Sequence, residues 1–222
     1  MDYEIIDNMN IWTNIFILGL VLTNFRLLAT SRLGAVIQTT VFQAFALSAF
    51  MLTMAERPWP LLLLFLALLT LIVKGVILPW LLRKAMRETG VQREIEPIVG
   101  YNTSVITGMV LLGLSFMIFI PLKTSVSQES AFLLPAALFT TLTGLMIIIS
   151  RKNALTQVVG YLVMENGVYA FGAALAVEEP LLVEMGVLLD VFVAVFVMGI
   201  TVYQISREFD NIDTDRLSEL KD

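Results

Sequence analysis

The chain has 222 residues, of which 58% are hydrophobic and only 15% are charged, and its mean hydropathy is +0.85. Soluble globular domains have about 45–50% apolar and about 25% charged residues, so this composition excludes an ordinary soluble protein. Cysteine and histidine are absent, which excludes disulfides, iron–sulfur ligation, thiolate zinc sites and the histidine ligand of haem. We therefore expect no cofactor and no metal in this chain. Carboxylates, lysine, tyrosine and amides are left to carry any chemistry.

Seven long apolar runs follow one another along the chain, separated by short polar stretches. They cover residues 10–29, 34–54, 58–82, 97–121, 130–149, 154–177 and 181–205. A membrane-spanning helix needs about 20 mostly apolar residues, whereas strands of a membrane barrel are about ten residues long and alternate in polarity. The pattern therefore predicts an all-α, polytopic membrane protein with about seven transmembrane helices.

The N-terminal sequence MDYEIIDNMN is acidic, whereas a signal peptide begins with positive charge and ends in a small-residue cleavage site. The first apolar run is therefore expected to stay as a membrane helix. Cytoplasmic loops are enriched in lysine and arginine. If the N-terminus lies on the outer side, eleven lysine and arginine residues lie on the inner side and two, Arg57 and Lys123, lie on the outer side. This asymmetry predicts an outer N-terminus, a cytoplasmic C-terminus and a multi-pass protein of the inner (cytoplasmic) membrane.

Besides Arg26, which lies near the inner end of the first run, four charged residues lie inside the apolar runs: Lys74 in the third, Glu165 in the sixth, and Glu184 and Asp190 in the seventh. A charge at the bilayer centre costs about 2.5–3.5 kcal/mol on insertion scales, and such residues usually mark ion or proton pathways. A lysine paired with a carboxylate of another helix would allow both to be buried. The alternatives are structural: Lys74 could snorkel in part towards the inner side, and Glu184 could be a solvated helix end.

Glu165 lies near the middle of the sixth run, in the sequence GYLVMENGVYAFG. Residues four apart share one face of a helix, and polar or amphipathic residues recur at this spacing around Glu165. The row consists of Asn153, Gln157, Tyr161, Glu165 and Tyr169. Such a stripe favours a hydrated path or a chain of hydrogen bonds that conducts protons. The alternative is a structural network that binds this helix to its neighbours.

Three segments resemble the hydrogenase-4 component E family of membrane subunits. They are LIVKGVILPWLLR around Lys74, GYLVMENG around Glu165 and LLVEMGVLLDVFVAVFVM around Asp190, and the resemblance covers residues 10–222 in helix order. The last helices also resemble the K subunit of bacterial complex I and the C subunit of multisubunit cation/proton antiporters. In those small subunits two membrane glutamates belong to the proton route. Here Glu165 and Asp190 supply one acid to each of the last two helices, without strict positional identity.

The resemblance implies a cofactor-free membrane subunit of a complex I-like assembly, such as a group 4 nickel–iron hydrogenase or formate hydrogenlyase. The chain holds no redox centre of its own. Implied partners are antiporter-like and heel subunits of a membrane arm, a soluble redox arm and the lipid bilayer, but not nucleic acid. The implied proton or sodium path uses Glu165, Asp190, Lys74, Glu184, Tyr161 and Tyr169. Two other functions stay open: a stand-alone proton-coupled secondary transporter and a purely structural membrane-arm subunit.

The predicted organisation has four parts. Residues 1–96 hold three helices and a cytoplasmic loop, of which 83–96 is expected to form a short amphipathic piece at the inner surface. Residues 97–149 hold two helices, and the second is a candidate for the first helix of a K-like unit. Residues 150–205 supply the last two helices of that unit. Residues 206–222 form a polar cytoplasmic tail.

Overall fold

A computed structural model describes residues 2–54, 68, 71–90, 93, 97–119, 128–174 and 192–199. In these ranges the chain is helical apart from short turns and one isolated bridge pair, which confirms the all-α prediction. The helices are α1 (Asp2–Ala29), α2 (Leu33–Met54), a π-helical turn (Val73–Ile77), α3 (Leu78–Glu88), α4 (Tyr101–Phe119), α5 (Gln128–Ser150), α6 (Ala154–Ala174) and α7 (residues 192–199).

Several of these helices have the length and the apolar composition of membrane spans. Within the described residues, three stretches could cross a membrane by these criteria: Leu33–Phe50, Tyr101–Phe119 and Phe132–Ser150. A shorter apolar stretch, Thr13–Ala29, lies in α1, which begins at Asp2 rather than near residue 10, so its acidic start is helical. The protein is therefore a helical membrane protein. Seven spans and their orientation remain a prediction.

The end of α3 differs from the predicted end of the third apolar run. That run is predicted to stop near residue 82, whereas α3 continues to Glu88. Ala85 is buried in this extension while Arg83 and Arg87 are exposed. The helix therefore continues because its basic residues share a solvent-facing side and its small apolar residue faces the core. The expected amphipathic piece begins as the last turns of this helix.

Contacts between helix ends define one end of the bundle. Arg151, which follows Ser150 at the end of α5, donates a hydrogen bond to the backbone carbonyl of Leu28 near the end of α1. Arg32, between α1 and α2, forms a bridge pair with Arg93. We call the end that holds Arg32, Arg93 and Arg151 the basic end. Since α2 and α6 begin there, they run parallel to each other, and α1 and α5 run in the opposite direction.

The helices α5 and α6 approach each other until their backbones touch. A Cβ atom added to Gly144 would lie 2.6 Å from the carbonyl oxygen of Gly160, and one added to Gly160 would lie 3.0 Å from the carbonyl oxygen of Gly144. Farther along, a Cβ at Gly167 would meet the backbone of Thr141. Small residues allow this close approach in membrane helix pairs. The contact fixes the rotation of α6, and with it the direction of Glu165.

The largest buried cluster joins α6 to α1, α2, α3, α5 and α7. Leu28, Leu78 and Val163 are fully buried in it, and Val193 and Val197 of α7 belong to the same cluster. In contrast, α4 exposes much of its apolar surface. The core therefore lies around α6, and α4 lies at the periphery of the described bundle.

Candidate functional site

Lys74 lies in a π-helical turn, Val73–Ile77, that leads directly into α3. The backbone N–H of Leu78 donates to the carbonyl of Val73, five residues earlier, rather than four as in an α-helix. The next residue, Pro79, has no N–H to donate, so one hydrogen bond of the regular pattern is lost here. π-Helical turns occur mostly as single-turn bulges inside α-helices and are frequent at functional sites.

The side chain of Lys74 forms an ion pair with Glu165 of α6. The distance from Lys74 Nζ to Glu165 Oε1 is 2.8 Å, and the two side chains are 10% and 8% exposed. Removing charges from water is costly unless they are paired, and pairing two opposite charges offsets part of this cost. The structure thus brings together two of the sequence-predicted site residues. Of the two alternatives for Lys74, snorkelling and pairing with a carboxylate of another helix, the structure shows the pairing.

The pair lies where α2, the π-helical turn and α6 meet. A Cβ atom added to Gly75, next to Lys74, would lie 2.8 Å from the ring of Phe45 on α2. Glycine therefore permits the close approach between the π-helical turn and α2. The second carboxylate oxygen, Glu165 Oε2, is buried and has no hydrogen-bond partner among the described residues. The site thus contains one acceptor that the ion pair does not use.

The polar stripe of α6 divides into two parts. At the basic end, Asn153 Oδ1 accepts a hydrogen bond from the backbone N–H of Leu155 (2.8 Å), and Gln157 Nε2 donates to the carbonyl of Arg151 (2.8 Å). Asn153 caps the start of the helix by accepting from one of its free N–H groups, and Gln157 joins the first turn of the helix to the segment that precedes it. Tyr161 and Tyr169 are partly buried and pack on separate apolar clusters. The first two residues of the stripe therefore stabilise the start of α6, and Glu165 is the charged residue at the centre of the stripe.

The two acids of the seventh apolar run, Glu184 and Asp190, lie outside the described residues. Their roles stay predictions. No group of three or more acidic residues that could hold a metal ion occurs in the part of the chain that the structure describes.

A buried polar network on α1, α2 and α5 was not among the predicted site residues. Gln43 Nε2 donates to Asn24 Oδ1 (2.8 Å) and to Thr23 Oγ1 (2.9 Å), and Asn24 Nδ2 donates to Thr140 Oγ1 (2.7 Å). We call Thr23, Asn24, Gln43 and Thr140 the amide cluster. The sequence does carry a signal for it, because an asparagine and a glutamine stand within the first two apolar runs.

Arg151 is a second residue whose role the sequence did not reveal. It was expected on the inner flank, but its side chain is only 2% exposed. Its guanidinium donates to the carbonyls of Val99 and Leu28, both at 3.1 Å, and to Ser104 Oγ at 3.4 Å, and it lies 4.4 Å from the ring centre of Tyr101. A planar group with five donors can bind several carbonyls at once. Arg151 therefore joins α1 and α4 to the α5–α6 junction.

The fold and the site define an integral helical membrane protein with a lysine–glutamate ion pair buried between its helices. The family model for NADH-ubiquinone/plastoquinone oxidoreductase chain 4L matches residues 131–222. Hydrogenase-4 component E of Escherichia coli (strain K12) is 30% identical over 150 residues, which is 68% of this chain and 69% of that protein. The chain belongs to the hydrogenase-4 component E family, as the resemblance predicted.

An uncharacterized protein of Mycobacterium tuberculosis (strain ATCC 25618 / H37Rv) is similar over most of both chains. It is 32% identical over 205 residues, which is 92% of this chain and 93% of that protein. No solved structure matches the chain. The similarity to component E and to chain 4L therefore comes from sequence. The C-terminal location of the chain 4L match agrees with the predicted resemblance of the last helices to the K subunit.

Proposed function

We propose that this protein is a membrane subunit of a complex I-like respiratory or hydrogenase complex, and that it contributes a buried ion pair to proton or sodium translocation. Redox chemistry in other subunits would drive the transport. The observation that carries the proposal is the 2.8 Å contact between Lys74 Nζ and Glu165 Oε1, away from solvent. Membership of the hydrogenase-4 component E family supports the assembly, and the match to chain 4L supports its complex I-like character.

The proposed topology has seven spans, an outer N-terminus and a cytoplasmic C-terminus in the inner membrane. The basic end of the bundle supports it, because Arg32, Arg93 and Arg151 meet there and positive residues concentrate on the cytoplasmic side. In this proposal residues 150–205 provide the last two helices of a K-like unit. Antiporter-like and heel subunits would contact the chain and link it to a soluble redox arm.

The ion pair can act as a switch because the energy of attraction between Lys74 and Glu165 is comparable to the energy with which another charge nearby would attract Lys74. Two unit charges about 4 Å apart interact by about 4 kcal/mol at an effective dielectric constant of about 20. A charge arriving on a neighbouring group therefore competes with the attraction between Lys74 and Glu165. When Lys74 moves towards the new partner, Glu165 loses its counter-charge and takes up a proton. Asp190, Glu184, Tyr161 and Tyr169 are the proposed further members of this path.

The experiment replaces each partner of the pair in the intact complex and measures redox-driven proton translocation in membrane vesicles. We expect Glu165→Gln and Lys74→Met to slow translocation at least about tenfold, which corresponds to about 1.4 kcal/mol. Glu88→Gln is the control, because this carboxylate is exposed at the end of α3. Wild-type translocation by both variants in normally assembled complex would contradict the proposal.

Two further measurements separate the two other functions. If the chain is only structural, Glu165→Gln lowers the amount of complex, but the complex that assembles translocates normally. If the chain is a stand-alone transporter, the purified wild-type chain moves protons in liposomes without partner subunits.

A further inference from the structure

A buried acceptor on α2 and a buried donor next to Glu165 on α6 have no hydrogen-bond partner among the described residues. Gln43 on α2 and Asn166 on α6 are each 1% exposed. Among the described residues, Gln43 Oε1 accepts no hydrogen bond and Asn166 Nδ2 donates none. Leaving a buried polar atom unpaired costs about 1–3 kcal/mol. Such atoms are therefore usually bound to internal water when no protein group reaches them.

The two side chains face the same junction of helices. Leu47, Ala137 and Ala170, from α2, α5 and α6, pack in one buried cluster. Gln43 precedes Leu47 by four residues and Asn166 precedes Ala170 by four residues, and residues four apart share a helix face. Since α2 and α6 both begin at the basic end, the residue four positions earlier in either helix lies one turn closer to that end. Gln43 and Asn166 thus lie one turn nearer the basic end of this junction.

The donors and acceptors at this junction are complementary. Gln43 donates two hydrogen bonds through its Nε2, one to Thr23 and one to Asn24 of the amide cluster. Its Oε1 therefore remains available to accept a hydrogen bond. Asn166 offers an N–H donor, and the neighbouring Glu165 Oε2 is another buried acceptor without a hydrogen-bond partner among the described residues. A water molecule has two donors and can accept in addition. It can donate to Gln43 and Glu165 and accept from Asn166, which gives the usual number of about three bonds.

We propose that internal water binds between Gln43, Asn166 and Glu165 and joins the Lys74–Glu165 pair to the amide cluster. The transport role of this water rests on the proposed function, whereas the water site itself does not. Gln43 and Asn166 are positioning residues that orient the water. The water passes one of its protons to the Glu165 carboxylate, where an O–H bond forms, and its oxygen regains a proton from a hydronium ion that arrives along the proposed path, so only O–H bonds form and break. The amides of Gln43 and Asn166 hold the water in place and give up no proton. The hydrogen-bond network around the ion pair then includes α2 and, through Asn24, α1.

The site is tested by a high-resolution cryo-EM map of the assembled complex. We expect density for water within hydrogen-bond distance, about 2.7–3.2 Å, of both Gln43 Oε1 and Asn166 Nδ2. A direct hydrogen bond between Gln43 and Asn166, or an apolar side chain of a partner subunit between them, would overturn the proposal. This measurement does not depend on whether the complex translocates protons.

The transport role is tested with Gln43→Met and Asn166→Leu, which remove polar atoms while approximately preserving side-chain size. We expect redox-driven proton translocation per assembled complex to fall at least about tenfold in each, and Asn166→Ser, which keeps a hydroxyl donor, to retain more activity. The matched control is Thr39→Val, because the Thr39 hydroxyl is already bonded within α2 to the carbonyl of Ala35 (2.8 Å).

The outcomes distinguish the two proposals. If Glu165→Gln abolishes translocation while Gln43→Met and Asn166→Leu behave as wild type, the proposed function stands and the extension into α2 is wrong. If Glu165→Gln has no effect, the proposed function fails and the transport role of the water fails with it. The cryo-EM density alone then supports or overturns the water site.

Discussion

The Lys74–Glu165 pair brings two charges into the interior of the helix bundle, where each would be costly alone. Removing one partner of a buried pair typically costs about 3–5 kcal/mol, whereas replacing both with apolar residues is often neutral. The side chains are 10% and 8% exposed, so this pair belongs with buried rather than surface pairs. The pairing should therefore be visible as a strong energetic coupling between the two residues.

The first prediction concerns this coupling. We expect Lys74→Met and Glu165→Leu each to lower the thermal stability of the purified complex, and the double variant to recover much of the loss. The measurement is a double-mutant cycle on the midpoint of thermal unfolding. Strictly additive effects would show that the two side chains do not interact in the assembled complex.

The second prediction concerns Arg151, which binds the carbonyls of Leu28 and Val99. Hydrogen bonds to charged groups contribute about 1.5–3 kcal/mol each, and a lysine has neither the planar group nor the reach to replace both. We expect Arg151→Lys to lower the unfolding midpoint and the yield of complex. The control Arg83→Lys changes an exposed arginine and is expected to be neutral. Equal effects of the two substitutions would contradict this role.

At the residue scale, the sequence indicated that a carboxylate of another helix would allow Lys74 to be buried, but it did not indicate which carboxylate, and it left snorkelling open. The partner depends on how far each helix is rotated about its axis, and that rotation is set by contacts such as Gly75 against Phe45. The burial of Arg151 could not be predicted either. Its position next to Lys152 and a helix end is typical of a cytoplasmic flank, and only the tertiary fold brings Val99 and Leu28 around it.

At the element scale, the α5–α6 contact holds Glu165 in place. Gly144 and Gly160 lie with their backbones in contact, so a side chain at either position must push the helices apart. The third prediction is that Gly144→Ala destabilises the complex by about 1–3 kcal/mol, the usual cost of overpacking a closely packed interface. The measurement is the unfolding midpoint together with the yield of assembled complex.

The matched control is Gly113→Ala in α4. A Cβ at Gly113 meets nothing within 4 Å in the described structure, and alanine is favoured over glycine inside a helix by about 0.5–1 kcal/mol. We therefore expect this variant to be neutral or slightly more stable. A Gly144→Ala complex as stable as the Gly113→Ala complex would show that the helices are not in close contact.

Helix positions were largely predictable because the apolar runs are long and charged residues separate them. α2, α5 and α6 agree closely with the predicted runs. The start of α1 and the end of α3 were not predicted, because both helices extend into polar sequence there. Pro79 closely follows the π-helical turn that contains Lys74, and hydropathy alone does not report this turn.

At the scale of the whole molecule, the orientation in the membrane is the fourth prediction. The chain has no cysteine, so single cysteines report position without further changes. In intact cells, a membrane-impermeant maleimide should label Asp2→Cys and should label Arg93→Cys only after permeabilisation. The unsubstituted chain is the control and should not react. Labelling of Arg93→Cys from outside would show that the basic end does not face the cytoplasm.

The central claim is that the buried pair couples redox chemistry to ion movement. The most direct test is the number of protons translocated per electron pair by complex that carries Glu165→Gln, normalised to the assembled amount and compared with Glu88→Gln. We expect the ratio to fall well below that of the wild type for Glu165→Gln and to stay unchanged for Glu88→Gln. A wild-type ratio in fully assembled Glu165→Gln complex would contradict the claim.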